Sequence, residues 1–335
     1  MTLTRPSLGV ADGSEPRPRT GVSRAVAVLV LVALGALIPL VGPSAALHGT
    51  GEAAAPGTAG IGLLRTVLFA ALCVPVGELF VNRLARSVPG VPPAMPRSWA
   101  LYAAAAGFVA ALGLASVVST GNLVPNSPAD LDIGGLYASR DGKLALLEVN
   151  AFAMAGLCAL SRRPATQLWP LAAVVIAEAL RAHPTTEHSP LLGSGLTLVH
   201  LTCATLWAGG LLHALRTLRG WGVREAGTAL LGLYARVAAV LLAAITATGV
   251  GSSLRRMPSE TILEQLTGTA YGRALLAKML LMAAVAALAL WARIRLRRAA
   301  DPLTACSPAR AEVVVLGVVV AVSGLLTALP VPIRW

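Results

Sequence analysis

Charged side chains are scarce in this chain. Asp, Glu, Lys and Arg make up 13% of its 335 residues while 56% are hydrophobic, and the mean hydropathy is +0.74. Soluble domains carry roughly 25% charged residues, so a soluble globular fold is excluded. Long polar stretches are missing too: the loops 118–143, 181–195 and 251–270 are the longest non-apolar connections, too short for a core of their own. Cysteine is limited to Cys73, Cys158, Cys203 and Cys306, with no CxxC, which excludes a disulfide framework. There is no Walker motif, G-x-S-x-G, H-E-x-x-H or dinucleotide fingerprint. An ATP-driven pump on this chain alone is excluded, and no enzyme is expected. Aromatics amount to 4%, and no basic stripe is interleaved with them. The net charge of +12 is therefore not a nucleic-acid signal.

What the chain does contain is apolar runs of the length that crosses a bilayer as helix, roughly 17–25 residues. Nine apolar segments can be read, all of that length but the 13-residue Leu168–Leu180: Val22–Val41, Ile61–Val81, Trp99–Val117, Leu144–Leu160, Leu168–Leu180, Leu196–Leu215, Thr228–Val250, Tyr271–Ile294 and Ala311–Ala328. The runs are continuous and do not alternate, which argues against a β-barrel. The expectation is an all-α, polytopic transmembrane bundle. With the N-terminus inside, seventeen of the 27 Lys and Arg fall in cytoplasmic segments and six in outer ones, so the C-terminus is expected outside. Trp99, Trp169, Trp221, Trp291 and Trp335 fall near span ends as interface anchors; Trp207 alone lies mid-span. Residues 1–21 read as a disordered tail, 22–163 as a four-helix half and 164–335 as a five-helix half. A signal peptide is the alternative for the first span, with Ser44-Ala45-Ala46 as its cleavage site, leaving eight spans.

The segment from His200 to Leu215 carries an imidazole, a thiol, an indole and a Gly pair in hydrocarbon, where polar groups are costly and mark function. At about 100° per residue, Cys203 lies about 60° from His200 and Trp207 about 20°. One face thus presents a nitrogen ligand, a sulfur ligand and an aromatic, a set that suits copper(I). His183 and His188, in the loop leading into this helix, could extend the site. The alternative is that they are ordinary loop residues and that His200 is a hydrogen-bonded core histidine. Met279 and Met282 share a helix face and are either soft ligands or core filler. Charged residues form two layers. Arg65, Glu148, Glu178 and Lys278 lie near the outer face, either as staples or as a cation entry path; Glu78, Arg236 and Glu312 lie near the inner face as interhelical staples. A haem would need axial imidazoles at matched depth, yet His200 and His213 lie about 140° apart around one helix. One haem held by His200 and a loop histidine stays open.

The ordered motifs of the last five spans resemble the copper resistance protein D (CopD) family. They are His200-Leu-Thr-Cys-Ala-Thr-Leu-Trp207-Ala-Gly209-Gly210, then Thr248-Gly249, then Tyr271-Gly272-Arg273 with Lys278, then Glu312 and Pro330. Together they span about residues 180–330. Where relatives often have Gly-His before the outer loop, this chain has Ala182-His183. The resemblance implies copper uptake across the inner membrane, an extracytoplasmic copper-binding partner of the CopC kind or an oxidase assembly factor, and contact with membrane lipid. Copper is then expected to meet His183 or His188 and pass to His200 and Cys203. Arg273 and Lys278 would pair with Glu148 or Glu178 at the mouth, Trp207 would pack beneath the site, and Gly209-Gly210 would admit a neighbouring helix. Two other readings are kept: a haem-associated redox protein and a non-transporting scaffold. Oligomeric state is not readable.

Overall fold

The computed structural model describes residues 20–90, 92, 95–121, 124–125, 127–183, 189–221, 224–257, 260–298 and 306–330; the side chains of 20–31, 34, 128 and 224 are excepted. The expected tail lies almost wholly outside these residues, as does His188. Eleven α-helices are present among them: α1 Thr20–Leu47, α2 Thr58–Ala85, α3 Ala100–Ser119, α4 Ile133–Ala138, α5 Arg140–Leu160, α6 Leu168–Arg181, α7 Pro190–Gly220, α8 Arg224–Arg256, α9 Ile262–Gly268, α10 Ala270–Arg298 and α11 Cys306–Ala328. No strand occurs among the described residues. Seven helices (α2, α3, α5, α7, α8, α10 and α11) are long and apolar enough to cross a membrane. The 14-residue α6 is shorter, and in α1 the apolar stretch described is Gly35–Leu47. The protein is a polytopic helical bundle.

Local chemistry sets the helix ends. Ser139 accepts from the Gly142 N–H to cap α5, and Asp132 accepts from the Gly135 N–H to cap α4. Pro190 opens α7, where its fixed φ suits the first turn and no N–H is missed. Pro75 lies inside α2 and removes one ladder hydrogen bond.

Two apolar cores share α2. One gathers Leu68, Leu72, Ala111, Phe152, Leu171 and Val174 from α2, α3, α5 and α6. The other gathers Trp207, Leu211, Tyr234, Val285 and Leu316 from α7, α8, α10 and α11. In hydrocarbon, apolar burial does not by itself drive helices together, so close backbone approach and polar contacts must do so. The closest approach is between α2 and α7. A Cβ on Gly209 would collide with the Cys73 carbonyl and lie 3.1 Å from Gly77 Cα, and a Cβ on Gly77 would collide with the Gly209 backbone. Gly210 faces the rings of Phe80 and Tyr234, each 3.0 Å from where its Cβ would lie. Helices α8 and α10, in contrast, barely touch, leaving a cleft between them.

Candidate functional site

The helices that meet at His200 reach the same depth. His200 lies ten residues into α7, Thr248 eight residues before the end of α8, and Lys278 eight residues into α10. At about 1.5 Å per residue, all three sit about 12–15 Å from one end of the bundle. By the arginine distribution that end is expected to face outward, and it is called the outer end below.

His200 Nδ1 lies 3.0 Å from Thr248 Oγ1. The Thr248 hydroxyl has one proton and donates it to the carbonyl of Ala244 at 2.7 Å, with that of Ile245 at 3.1 Å. It therefore accepts from the imidazole, which puts the proton on Nδ1 and leaves Nε2 with its lone pair. Gly249 keeps the α8 backbone clear of the ring: a Cβ there would lie 3.6 Å from His200 Cε1. Lys278 is close enough to act electrostatically on His200 and has no ion pair or hydrogen bond among the described residues. Two motifs 48 residues apart thus meet at one imidazole, with a cation beside it.

His183 is buried against the start of α7. Its Nε2 is 2.9 Å from Thr197 Oγ1, and its ring lies where a Cβ on Gly193 would be, 2.5 Å from Nδ1. Thr197 precedes His200 by three residues, so the two histidines contact neighbouring turns of one helix face. Cys203 is partly buried against the core around Trp207. Met282 joins the same core, whereas Met279 is 53% exposed, so the two do not act together. No group of three or more His, Cys, Asp or Glu within reach of one metal ion occurs among the described residues.

The acidic pair pairs elsewhere. Arg65 Nη1 donates to both oxygens of Glu178, at 2.5 and 2.6 Å. Arg181 Nη2 donates to Glu148 and Glu178, each at 2.7 Å. All four side chains are at least 84% buried. The expected pairing of Lys278 and Arg273 with Glu148 or Glu178 is thereby corrected, because α2 and α6 already supply two guanidiniums to these carboxylates. Arg273 instead donates to the carbonyls of Thr267 (2.8 Å) and His48 (2.5 Å), tying α10 to α9 and to the α1–α2 connection. Arg181, read from sequence as a loop residue, is the central cation of the quartet. Its spacing of three from Glu178 on a helix was the available signal. The two described ends of the α6–α7 connection are met by Arg255, which donates to the Ser189 carbonyl at 3.1 Å, and by Arg256, which donates to the Ala182 carbonyl at 3.5 Å and to Tyr271 Oη at 3.3 Å. Gly272 lies where a side chain would collide with the Gln265 carbonyl, so the α9–α10 corner requires it.

At the other end Glu78 is a staple. It accepts from Ser98 Oγ (2.5 Å), the Trp99 N–H (2.8 Å) and Arg216 Nη1 (2.9 Å), and Arg216 stacks 3.5 Å over the Trp99 ring. His213 Nε2 donates to Asn82 Oδ1 at 3.1 Å. Glu312 is bridged to no cation among the described residues; it accepts from Trp207 Nε1 at 3.0 Å, while Tyr234 Oη donates to the Trp207 carbonyl at 2.7 Å. The staple expected at Arg236 is corrected. Arg236 is exposed on the outward face of α8, in line with Val240 and Val250, where its long stem can run along the helix to polar surroundings.

Residues 228–326 match the family model described as Copper resistance protein D, CopD. The match takes in α8 to α11 and so contains Thr248-Gly249, Tyr271-Gly272-Arg273, Lys278 and Glu312, while α7 with His200 lies just before it. No curated protein and no solved structure matches the chain significantly. The segment that packs against His200 is thus similar to the Copper resistance protein D family.

Proposed function

We propose that the protein takes up copper at the outer end of the bundle and carries or delivers it across a bacterial cytoplasmic membrane, with His200 Nε2 as the intramembrane donor. The observation that carries this reading is the His200–Thr248 hydrogen bond. A histidine that binds metal through one nitrogen characteristically donates its other N–H to a fixed acceptor, and Thr248 is such an acceptor from within the CopD-matched segment. Cys203 one turn deeper and His183 one turn nearer the outer end are the further donors in this reading, with His188 in the same loop. Soft sulfur and imidazole favour copper(I). Trp207, Gly209 and Gly210 hold α7 in place. Glu148, Glu178 and Arg65 hold α2, α5 and α6 around the site, and Arg273, Tyr271 and Gly272 brace the loops at its mouth.

The test is copper per chain in detergent-purified protein, wild type against His200→Ala, with a visible spectrum of the same sample. Near-stoichiometric copper that is lost in the variant supports the reading. Copper retained by His200→Ala refutes it, and a Soret band would move a haem-associated redox role to first place. One observation favours a second reading. Fewer than three protein ligands converge among the described residues, so a CopC-like partner or an oxidase assembly factor docked at the outer end could supply the rest, with the chain as scaffold. Copper bound only in the presence of such a partner identifies that case.

A further inference from the structure

The bundle has a second opening, at the end opposite His200. There Arg219, Arg310, Trp221 and Cys306 are among the residues lining a pocket of about 210 Å³. One turn deeper, a cleft of about 170 Å³ runs between α7, α8, α10 and α11. The two are stacked along three helices. Leu215 lines the pocket and Leu211 the cleft on α7, Gly227 and Leu231 do so on α8, and Cys306 and Ala309 on α11. Each pair is three or four residues apart, so the pocket and the cleft lie one turn apart along the same three helices.

The two compartments differ in chemistry. The cleft has alanine on both sides, Ala235, Ala238 and Ala239 on α8 and Ala286 and Ala289 on α10, whose short side chains leave the gap between these helices unfilled. Glu312 at its floor is turned to Trp207. An apolar cavity of roughly 150 Å³ stays dry and takes up a benzene, so the cleft has room for about six carbons of a chain. It opens sideways between α8 and α10, toward the bilayer. The pocket beneath carries two guanidiniums and faces the first turns of α8 and α11, whose dipoles favour an anion. Arg293 lines the cleft nearby.

We infer that an anionic phospholipid binds here, its phosphate in the Arg219–Arg310 pocket and one acyl chain in the α8–α10 cleft. Basic pockets between membrane helices on the cytoplasmic side recognise such head groups. A free anion would leave the cleft unused, and a zwitterionic lipid would bring its own cation against the arginines. This inference does not depend on the copper reading.

The full-length protein, purified in mild detergent and delipidated, is titrated with phosphatidylglycerol, phosphatidylcholine or inorganic phosphate, and bound lipid is counted by native mass spectrometry. One phosphatidylglycerol per chain is expected, held at least tenfold more tightly than phosphatidylcholine. Arg219→Gln and Arg310→Gln each weaken it by about fivefold. Ala239→Phe keeps both arginines but fills the cleft, and it weakens retention by a similar factor at unchanged Tm. Equal retention of the two lipids by the wild type overturns the assignment without recourse to any variant. So does retention undiminished in well-folded arginine variants. Inorganic phosphate that displaces the lipid equally well from wild type and Ala239→Phe would make the pocket a simple anion site and also overturn it.

Discussion

Replacing Thr248 by Val removes one hydroxyl and keeps the side chain's shape. In the wild type that hydroxyl accepts from His200 Nδ1 at 3.0 Å and passes its own proton to the Ala244 carbonyl at 2.7 Å. In Thr248→Val the imidazole N–H loses its acceptor, at a cost of about 1–3 kcal/mol for an unpaired buried donor. The ring is then free to turn or to move its proton to Nε2, which blocks the lone pair proposed to meet copper. Losing the partner that orients a ligating histidine typically lowers metal affinity by about 10- to 100-fold. At about 1.4 kcal/mol per tenfold, this corresponds to about 1.4–2.8 kcal/mol, within the range of the lost hydrogen bond. The assay is a copper(I) titration of detergent-purified protein against a competing chelator. Thr248→Val is expected to bind about 10- to 100-fold more weakly at normal yield and Tm, and Thr248→Ser to recover most of the loss. Thr205→Val is the control, because the Thr205 hydroxyl serves only its own helix through the Thr202 carbonyl at 2.9 Å. Wild-type affinity in Thr248→Val, with none in His200→Ala, would refute the argument that Thr248 fixes the ring.

Gly209→Leu places a branched side chain where even a Cβ meets the Cys73 carbonyl. Overpacking of this kind costs about 1–3 kcal/mol or more, and a lower Tm with loss of a monodisperse peak on size exclusion is expected. Glu178→Ala strands Arg65, which it pairs at 2.5 Å, and leaves Arg181 with Glu148 alone. Breaking one side of a buried pair costs about 3–5 kcal/mol, so thermal unfolding in detergent should drop sharply, with Glu178→Ala/Arg65→Met less damaged than Glu178→Ala. Lys278→Met removes a cation that acts on His200. Like charges repel, and by less with distance, so copper affinity should rise; an unchanged or lower affinity in the same chelator competition would show that Lys278 does not oppose the metal.

The bundle was largely legible because each span is a continuous apolar run. All nine runs became helices, and the helices exceed them at the ends: Leu196–Leu215 became Pro190–Gly220, and Val22–Val41 became Thr20–Leu47. The extra turns hold Pro, Ser and Arg, which stop an apolar count but not a helix. The approach at Gly209-Gly210 was legible as small residues on a helix. Its partner Gly77, 132 residues earlier, was not, because a lone glycine beside Pro75 has no pattern of its own. The polar pairings fared least well. Each charge could be assigned to a depth, but depth does not give rotation about the helix axis, and rotation chooses the partner. Glu178 turned toward Arg65 and Arg181, and Arg236 turned outward. The Thr248-Gly249 motif could be read as a unit, whereas its meeting with His200 depends on how α7 and α8 cross.

These pairings bear on the route a cation would take. A mouth lined by unpaired Glu148 and Glu178 would attract copper toward α5 and α6. Those carboxylates are instead met by two arginines, two charges of each sign, so the quartet has no net charge and exerts little pull a few ångströms away. Its carboxylates are also enclosed, with Glu148 fully buried. Among the described residues Lys278 is a charge at this depth without an ion pair. The quartet therefore adds little steering, and in the proposed site affinity would come from ligand chemistry at α7: an imidazole whose tautomer Thr248 sets, and a thiol one turn deeper. That distinction is measurable. A site that draws its cation by charge weakens steeply with ionic strength, whereas a site built on nitrogen and sulfur donors holds copper(I) almost equally at low and at high salt.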